Sequence, residues 1–303
     1  MSRLSGNSTY NLYAEQLIDD IIAGIGNTKN YNIEQGLAGI GLGIDYLIEN
    51  DHVKGNNNEV LEDIDNALFK QTCYPDIYDN MSISLQLQFL YYFIVRLKKQ
   101  NADGKNEFLF RELIIHAVNV ISERINSELF EEQGIFDIKY PLPQYLFVAG
   151  ACIKLYKDKV YRMLKEISPY ILSKIPTLHA NRLYLLYSMS KINSKLEIEK
   201  WDNHIKMLAR ETDIDFIIEN ELVGNIFFSD GLPAIYMFLS ELPEYFGKQE
   251  VTTYKNKIVN KIEDSSVWKI LLENEKYLKR KCGLFSGYPG TSILIQKHYK
   301  SEN

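Results

Sequence analysis

Three aspartates stand where a carboxylate could perform acid–base chemistry. Asp79 and Asp230 precede segments that are expected to begin helices, and Asp137 lies in the loop GIFDIKYP. Two carboxyl groups held a few ångströms apart can hydrolyse a glycosidic bond. An Asp that accepts bonds from free N–H groups at a helix start caps the helix and needs no catalysis. The sequence gives no carboxylate separation, so both interpretations stay open, and capping is the commoner role.

The cysteines and histidines lack the spacing of a metal site. Cys73, Cys152 and Cys282 lie far apart and form no CxxC pair, and the five histidines share no HExxH or i, i+4 spacing. Ser286 lies in GLFSGYPG, which is not the Gly-x-Ser-x-Gly turn of a serine hydrolase. No catalytic residue is assigned from spacing alone.

Three segments repeat a glycine that is followed three residues later by a second small residue and then by an apolar helix. They are GLAGIGLGIDYLI with Gly36 and Gly39, GLPAIYMFLSEL with Gly231 and Ala234, and GYPGTSILIQKHY with Gly287 and Gly290. This pattern predicts a helix start that is crowded against a neighbouring backbone, where a larger side chain would clash. Weaker copies without the glycines are expected near Asn80, Tyr145 and Asn181.

Helical periodicity dominates the chain, and strand-type alternation is scarce. Apolar helices alternate with amphipathic segments rich in Lys and Glu at 105–128, 155–174, 196–210 and 249–264. This alternation predicts an all-α fold with an inner and an outer ring of helices. The polar tract 51–60, DHVKGNNNEV, is expected to be a flexible loop. No linker composition divides the chain, which predicts one domain over residues 1–303.

The small-x-x-small helix starts, the Gly-Leu-x-Gly-Ile opening at Gly36 and the final GYPG at Gly287 resemble the lanthionine synthetase C family of lanthipeptide cyclases. The resemblance implies an α/α toroid of helical hairpins with a site at the centre of one face. In that family a zinc ion activates a peptide cysteine thiol, which adds to a dehydrated serine or threonine of the same peptide. One cysteine of a Trp-Cys-x-Gly-x-Pro-Gly motif and an adjacent Cys-His pair in Cys-His-Gly-x-x-Gly hold that zinc.

This chain departs from the family at each zinc ligand. The first cysteine position falls on Ser229, and the Cys-His pair falls on Phe285 and Ser286. A serine hydroxyl stays protonated near neutral pH and a phenyl ring offers no lone pair, so no zinc and no other cofactor is expected. Cys282 and Asp230 are the remaining donors nearby, and two candidates do not make a site. Without zinc, a thiol of pKa ~8.5 stays mostly protonated, so cyclase activity is doubtful.

The resemblance therefore implies a zinc-free, degenerate cyclase homologue that binds a peptide, such as a modified precursor peptide, or a small polar ligand. A central cavity is expected, with helix starts that direct free N–H groups toward polar or anionic ligand groups. Phe285 either leaves this cavity open or fills the former metal position. The alternatives are a zinc-free, glycosidase-like hydrolase on the toroid and a non-catalytic partner of a modifying enzyme. The residues expected to line the cavity are Ser229, Asp230, Phe285, Ser286 and Tyr288.

Composition and charge narrow the classes of partner. The chain is 46% hydrophobic and 24% charged, and its net charge of -6 comes from acidic and basic residues that are interspersed throughout. No basic run stands out, which argues against nucleic acid and anionic lipid as partners. The N-terminus lacks an apolar signal region, and charges interrupt every later apolar run before it reaches spanning length. A cytoplasmic protein is expected.

Overall fold

The structure is a computed structural model that describes residues 9–100, 105–125, 131–132 and 134–302. All regular secondary structure in these residues is helical, which confirms the prediction of an all-α fold. The chain divides into two compact units, Met1–Asn80 and Met81–Asn303. A single domain over 1–303 stays a prediction. The last residues of the predicted amphipathic segment 105–128, 126–128, lie outside the described residues.

The first unit is built around two helices that pack on each other and are joined through a turn of helix. Its helices are α1 (Thr9–Ile25), α2 (Leu37–Glu49), α3 (Asn57–Val60), α4 (Glu62–Cys73) and α5 (Pro75–Tyr78). Helix α2 packs on α4, and the buried side chains include Leu37, Ile64 and Leu68.

The expectation of a flexible loop over residues 51–60 is wrong for its second half. Residues Asn57–Val60 form a turn of helix, because the Asn56 side chain accepts a hydrogen bond from the N–H of Asn58 and caps the helix start. The Asn57 amide also donates to Asp45 Oδ1 at 2.7 Å, which ties this turn to α2. Asparagine side chains therefore order the segment that their composition marks as a loop.

The second unit holds the remaining helices. They are α6 (Ile83–Leu97), α7 (Lys105–Glu123), α8 (Pro141–Leu172), α9 (His179–Asn193), α10 (Trp201–Arg210), α11 (Ile214–Phe216) with a following π-helical turn (Ile217–Glu221), α12 (Leu232–Ser240), α13 (Pro243–Phe246), α14 (Lys248–Asp264), α15 (Ser266–Glu273), α16 (Glu275–Arg280) and α17 (Tyr288–Glu302).

Helix α8 reverses direction at Tyr156, whose backbone is non-helical at φ -139° and ψ 53°. Tyr145 and Val160 line the same small apolar cavity, together with residues of α6 and α7. In a straight helix these two residues would lie about 22 Å apart along the axis. The chain therefore folds back at Tyr156, and residues 141–155 and 157–172 form a helical hairpin.

A row of neighbouring aromatic rings connects four helices of this unit. Tyr91 on α6 lies 5.8 Å from Phe147 on α8, measured between ring centroids. Phe147 in turn stacks with Tyr187 on α9 at 6.4 Å, and Tyr187 stacks with Phe238 on α12 at 4.8 Å. Because each ring contacts a ring of the next helix, the row joins these helices into one series.

The helices of this series run parallel to one another. Phe147 of α8 faces Tyr187 of α9, and further along both helices Gly150 faces Ile192. Tyr187 of α9 likewise stacks on α12, whose end approaches α9 again where Lys191 pairs with Glu241. The helices between members of the series, α7, 157–172 and α10, therefore return the chain. This order agrees with the predicted alternation of apolar and amphipathic helices.

Two of the weaker repeats begin earlier than the sequence predicts. The helix expected near Tyr145 starts at Pro141, since proline is favoured in the first turn of a helix. The helix expected near Asn181 starts at His179. There two carboxylates supply the acceptors, because Glu132 accepts from the N–H of Leu178 and Glu221 accepts from the N–H of His179.

Candidate functional site

The three glycine-containing helix starts share one loop conformation. In each, the N–H of the first helical residue donates to a carbonyl seven positions earlier: Leu37 to Asn30 at 3.0 Å, Leu232 to Asn225 at 2.9 Å, and Tyr288 to Lys281 at 2.8 Å. Each loop therefore folds back onto the start of its own helix. Each bond occupies one of the N–H groups that the sequence predicts to be free for an anionic ligand.

The glycines stand where this fold leaves no room for a side chain. A Cβ on Gly231 would overlap the carbonyl oxygen of Asn225, and one on Gly287 would overlap that of Lys281. Gly36 has the same relation to Asn30. Gly231 has an extended backbone with φ -144°, so steric contact and not backbone freedom makes the glycine necessary.

The second small residue of each repeat also lies against the loop. A Cβ on Gly39 would overlap the carbonyl oxygen of Ile33, and one on Gly290 would overlap that of Leu284. Gly290 also faces the Phe228 ring, 3.0 Å from the position of such a Cβ. Ala234 is fully buried at the corresponding position of α12.

Hydrogen bonds bring three loops of the second unit together. The N–H of Ser229 donates to the carbonyl of Phe285 at 3.0 Å, and the N–H of Ile138 donates to the carbonyl of Ser229 at 2.9 Å. Thr291 on α17 donates its hydroxyl to the carbonyl of Ile226 at 2.6 Å. We call residues 136–140, 225–231 and 281–288 the loop cluster.

Ser229 lies at the centre of the loop cluster and is buried. Its hydroxyl donates to Asp230 Oδ1 at 2.9 Å, and its N–H and carbonyl are bonded to the two neighbouring loops. Every polar group of Ser229 therefore has a partner within the protein. Asp230 is half-buried, and among the described residues only its Oδ1 accepts a side-chain hydrogen bond.

A second carboxylate, that of Asp137, lies close enough to Asp230 to feel its charge. The pKa of Asp137 is raised, first by burial and also by the negative charge of Asp230. Hydrogen bonding from the N–H of Lys139 at 2.7 Å and the nearby Lys139 ammonium oppose this rise without cancelling it. Two carboxylates of the loop cluster therefore lie on adjoining loops, and Lys139 and Lys281 balance their formal charge. The third candidate, Asp79, is exposed at the end of α5 in the other unit.

The other predicted site residues are half-buried. Phe285 and Ser286 lie on the loop before α17, and Tyr288 is the first residue of that helix. The Tyr288 ring stacks on Trp268 of α15 at 4.9 Å between centroids. One face of Tyr288 is therefore occupied by the protein itself. The cavity beside Tyr145 is elsewhere, between α6, α7 and the hairpin of α8.

The residues at the family's zinc positions do not fit zinc. The Ser229 hydroxyl already donates to Asp230, Phe285 has no donor atom, and Ser286 offers a neutral hydroxyl. Within the described ranges, no group of three or more His, Cys, Asp or Glu side chains could hold a metal ion. Cys282 is exposed on the same loop, and the described residues place no such group around it.

Sequence reasoning missed two features that position the loop cluster. Lys139 holds Asp137 through both its N–H and its ammonium group, and Tyr184 on α9 donates its hydroxyl to the carbonyl of Ile138 at 3.0 Å. The close spacing in GIFDIKYP could have indicated the first contact. The second joins residues that are distant in sequence and leaves no local signal.

The comparisons with known proteins add no relative to this description. No family model, curated protein or solved structure matches the chain. Among the described residues, no helix is both long enough and apolar enough to cross a membrane.

Proposed function

We propose that this chain is a lanthionine synthetase C-like protein, an α/α toroid, that binds a peptide at the loop cluster without zinc. The hydrogen bond from the Ser229 N–H to the Phe285 carbonyl is the observation that supports this proposal. It joins the two loops that correspond to the family's two ligand motifs. Under this proposal the two motif loops meet, and their side chains do not suit a metal, which favours peptide binding over zinc-dependent cyclisation.

The half-buried Asp230 carboxylate, with Asp137 on the adjoining loop, favours a cationic group of the peptide. Asp137 and Asp230 lie on two loops that the hydrogen bond from the Ile138 N–H to the Ser229 carbonyl joins. Burial, with the charge of Asp230 added to it, raises the pKa of Asp137. An ammonium group beside both carboxylates would offset the repulsion and form charge-assisted hydrogen bonds. We therefore expect a peptide amine, at the N-terminus or on a lysine, to bind here.

Fluorescence anisotropy with a labelled, lysine-containing short peptide tests this proposal. Asp230→Asn and Asp137→Asn should each weaken binding about tenfold, since a hydrogen bond to a charged group contributes about 1.5–3 kcal/mol. Asp79→Asn is the matched control, because Asp79 is an exposed carboxylate of the other unit. Its affinity should equal that of the wild type.

Two results would contradict the proposal. An N-acetylated peptide with its lysine replaced by norleucine would bind as tightly as the parent peptide if the carboxylates had no role. Equal affinity of all three Asp→Asn variants would also place the peptide away from the loop cluster. Circular dichroism of each variant verifies that the helices are retained.

One observation favours a hydrolase as the second candidate. A general acid needs a carboxyl group with a raised pKa near a second carboxylate. The pKa of Asp137 is raised, and Asp230 lies on the loop that is hydrogen-bonded to its own. Aryl glycosides provide the assay. Loss of turnover in both Asp137→Asn and Asp230→Asn, with turnover kept in Asp79→Asn, would support hydrolysis. Absence of turnover in the wild type would reject hydrolysis of these substrates.

A further inference from the structure

Four lysines lie at the C-terminal ends of three neighbouring helices of the second unit. Lys98 follows α6, Lys154 lies near the end of the first half of α8, and Lys191 and Lys195 lie at the end of α9. The Lys195 ammonium donates to the carbonyl of Gly150 at 3.2 Å, which holds it over α8. Parallel packing brings together lysines that are widely spaced in the sequence.

The lysines form a positive patch on a chain whose net charge is -6. The pKa of Lys195 is lowered, first by burial and then by the positive charges of Lys154, Lys191 and Lys98. Lys191 is paired with Glu241. Lys98 and Lys154 are exposed, and neither forms an ion pair with any residue that the structure describes. Positive charge in this patch therefore exceeds negative charge.

Exposed aromatic surface lies beside the lysines. Phe147 is 36% exposed, and Lys154 follows it by two helical turns on the same face of α8. Tyr91 is half-buried against Phe147, and the Lys191 ammonium lies 5.7 Å from the centroid of the Tyr187 ring. Lysines at helix ends stabilise the helix dipole, but this role does not require an exposed phenyl ring.

We propose that this surface docks an acidic peptide segment of a partner protein, with carboxylates on the lysines and an apolar side chain on Phe147. We define the lysine–aromatic surface as Tyr91, Phe147, Lys98, Lys154, Lys191 and Lys195. It lies at the opposite end of these helices from the loops that precede α8 and α12. The surface is therefore separate from the loop cluster, and the inference does not depend on the proposed function.

A peptide fits this surface better than a nucleic acid does. The negative net charge of the chain repels a long polyanion at a distance, whereas a short acidic segment needs only a local excess of positive charge. The partly exposed Phe147 ring offers apolar surface to a leucine or tryptophan side chain of such a segment. Lysine ammonium groups around an apolar centre give the carboxylates of such a segment complementary partners.

Fluorescence anisotropy of the full chain with a fluorescein-labelled peptide, in which Asp and Glu flank a central Trp, provides the test. The triple variant Lys98→Glu, Lys154→Glu, Lys195→Glu should weaken binding by about tenfold or more. The matched control reverses three exposed lysines outside the lysine–aromatic surface, on the second half of α8, on α15 and on α16. This variant should bind as the wild type does: Lys165→Glu, Lys269→Glu, Lys276→Glu. Phe147→Ser should weaken binding without changing its dependence on salt.

Several outcomes would overturn the inference. One is a wild type that does not bind the peptide. Another is an equal loss of affinity in the surface variant and the control variant. A third is a peptide with Asn and Gln in place of its acidic residues that binds as tightly as the parent peptide. Single-stranded RNA that binds more tightly than the peptide, and depends on the same three lysines, would assign the surface to nucleic acid instead.

Discussion

At the scale of single residues, Ser229 joins the loops of the loop cluster through hydrogen bonds. A cysteine at this position would serve zinc as a thiolate, whereas the serine hydroxyl donates to Asp230 and its backbone joins both neighbouring loops. The side chain therefore contributes hydrogen bonds within the protein. Its buried position favours a structural role, and the half-buried Asp230 beside it is the group that can meet a ligand.

Gly287→Ala should destabilise the chain by about 1–3 kcal/mol, because the added methyl group would overlap backbone atoms of Lys281 and Gly283. Gly283→Ala is the matched control on the same loop, since a Cβ there has no neighbouring atom within 4 Å. Urea denaturation followed by circular dichroism measures both variants. A Gly287→Ala variant as stable as the Gly283→Ala variant would show that the loop does not pack closely on α17.

Purified protein should contain no stoichiometric zinc. The positions that correspond to the family's ligands hold Ser229, Phe285 and Ser286, which cannot supply thiolate or imidazole. Elemental analysis after dialysis measures the metal content. Near-equimolar zinc that disappears in Cys282→Ser would mean that the residue correspondence is wrong and that this exposed cysteine is a ligand.

At the scale of helices, two carboxylates fix the start of α9. Glu132 accepts hydrogen bonds from the N–H groups of Thr177 and Leu178, and Glu221 accepts from those of His179 and Ala180. Both glutamates lie far from the start of α9 in sequence. They satisfy donors that no nearby Ser, Thr or Asp caps, and their negative charge suits the positive end of the helix dipole.

Glu132→Gln should lower the free energy of unfolding by about 1 kcal/mol near neutral pH. Burial alone would raise the pKa of Glu132, but hydrogen bonds from Thr177, Leu178 and Asn181 outweigh it and lower the pKa below its usual value. The charged carboxylate therefore stabilises the fold above the unfolded pKa and loses this effect as the pH falls through the folded pKa.

The difference in unfolding free energy between wild type and Glu132→Gln should be largest above about pH 6 and should shrink toward about pH 3. Denaturation curves at several pH values measure it. Glu199→Gln is the control, because the Glu199 side chain is 89% exposed. A difference that does not vary with pH would show that the charge of Glu132 does not contribute to the cap.

At the scale of the whole molecule, the question is whether the two units unfold together. Met1–Asn80 and Met81–Asn303 are each compact, whereas the uniform composition predicts one domain. Both tryptophans, Trp201 and Trp268, belong to the second unit. Tryptophan fluorescence therefore reports on that unit, and far-ultraviolet circular dichroism reports on the helices of both.

A single domain should give thermal transitions with the same midpoint by fluorescence and by circular dichroism, since a cooperative unit unfolds in one step. Coincident midpoints would support one domain. An earlier transition seen only by circular dichroism would show that residues 1–80 unfold separately. The helical spectrum itself should contain no strand signal from the described part of the chain.

The sequence by itself determined the helical class and the positions of the glycine-containing helix starts. Apolar residues at three- and four-residue steps can bury one face only as a helix, and Gly231 and Gly287 precede α12 and α17 as the repeat predicts. The glycine positions could be predicted because their steric constraint is local: a Cβ on either glycine would overlap a carbonyl oxygen six residues earlier in the chain. A constraint between residues this close in sequence leaves a repeated sequence pattern.

Only the tertiary structure decided which distant groups meet. The partnership of Asp137 with Asp230, the capping of α9 by Glu132 and the assembly of Lys98, Lys154 and Lys195 all follow from the packing of helices. A residue on one helix has no sequence pattern that names its neighbour on the next. The reversal at Tyr156 shows the same limit, because a hairpin without a connecting loop has no Gly or Pro signal at its turn. Lysines that are widely spaced in the sequence likewise form a positive patch because the helices that carry them pack side by side.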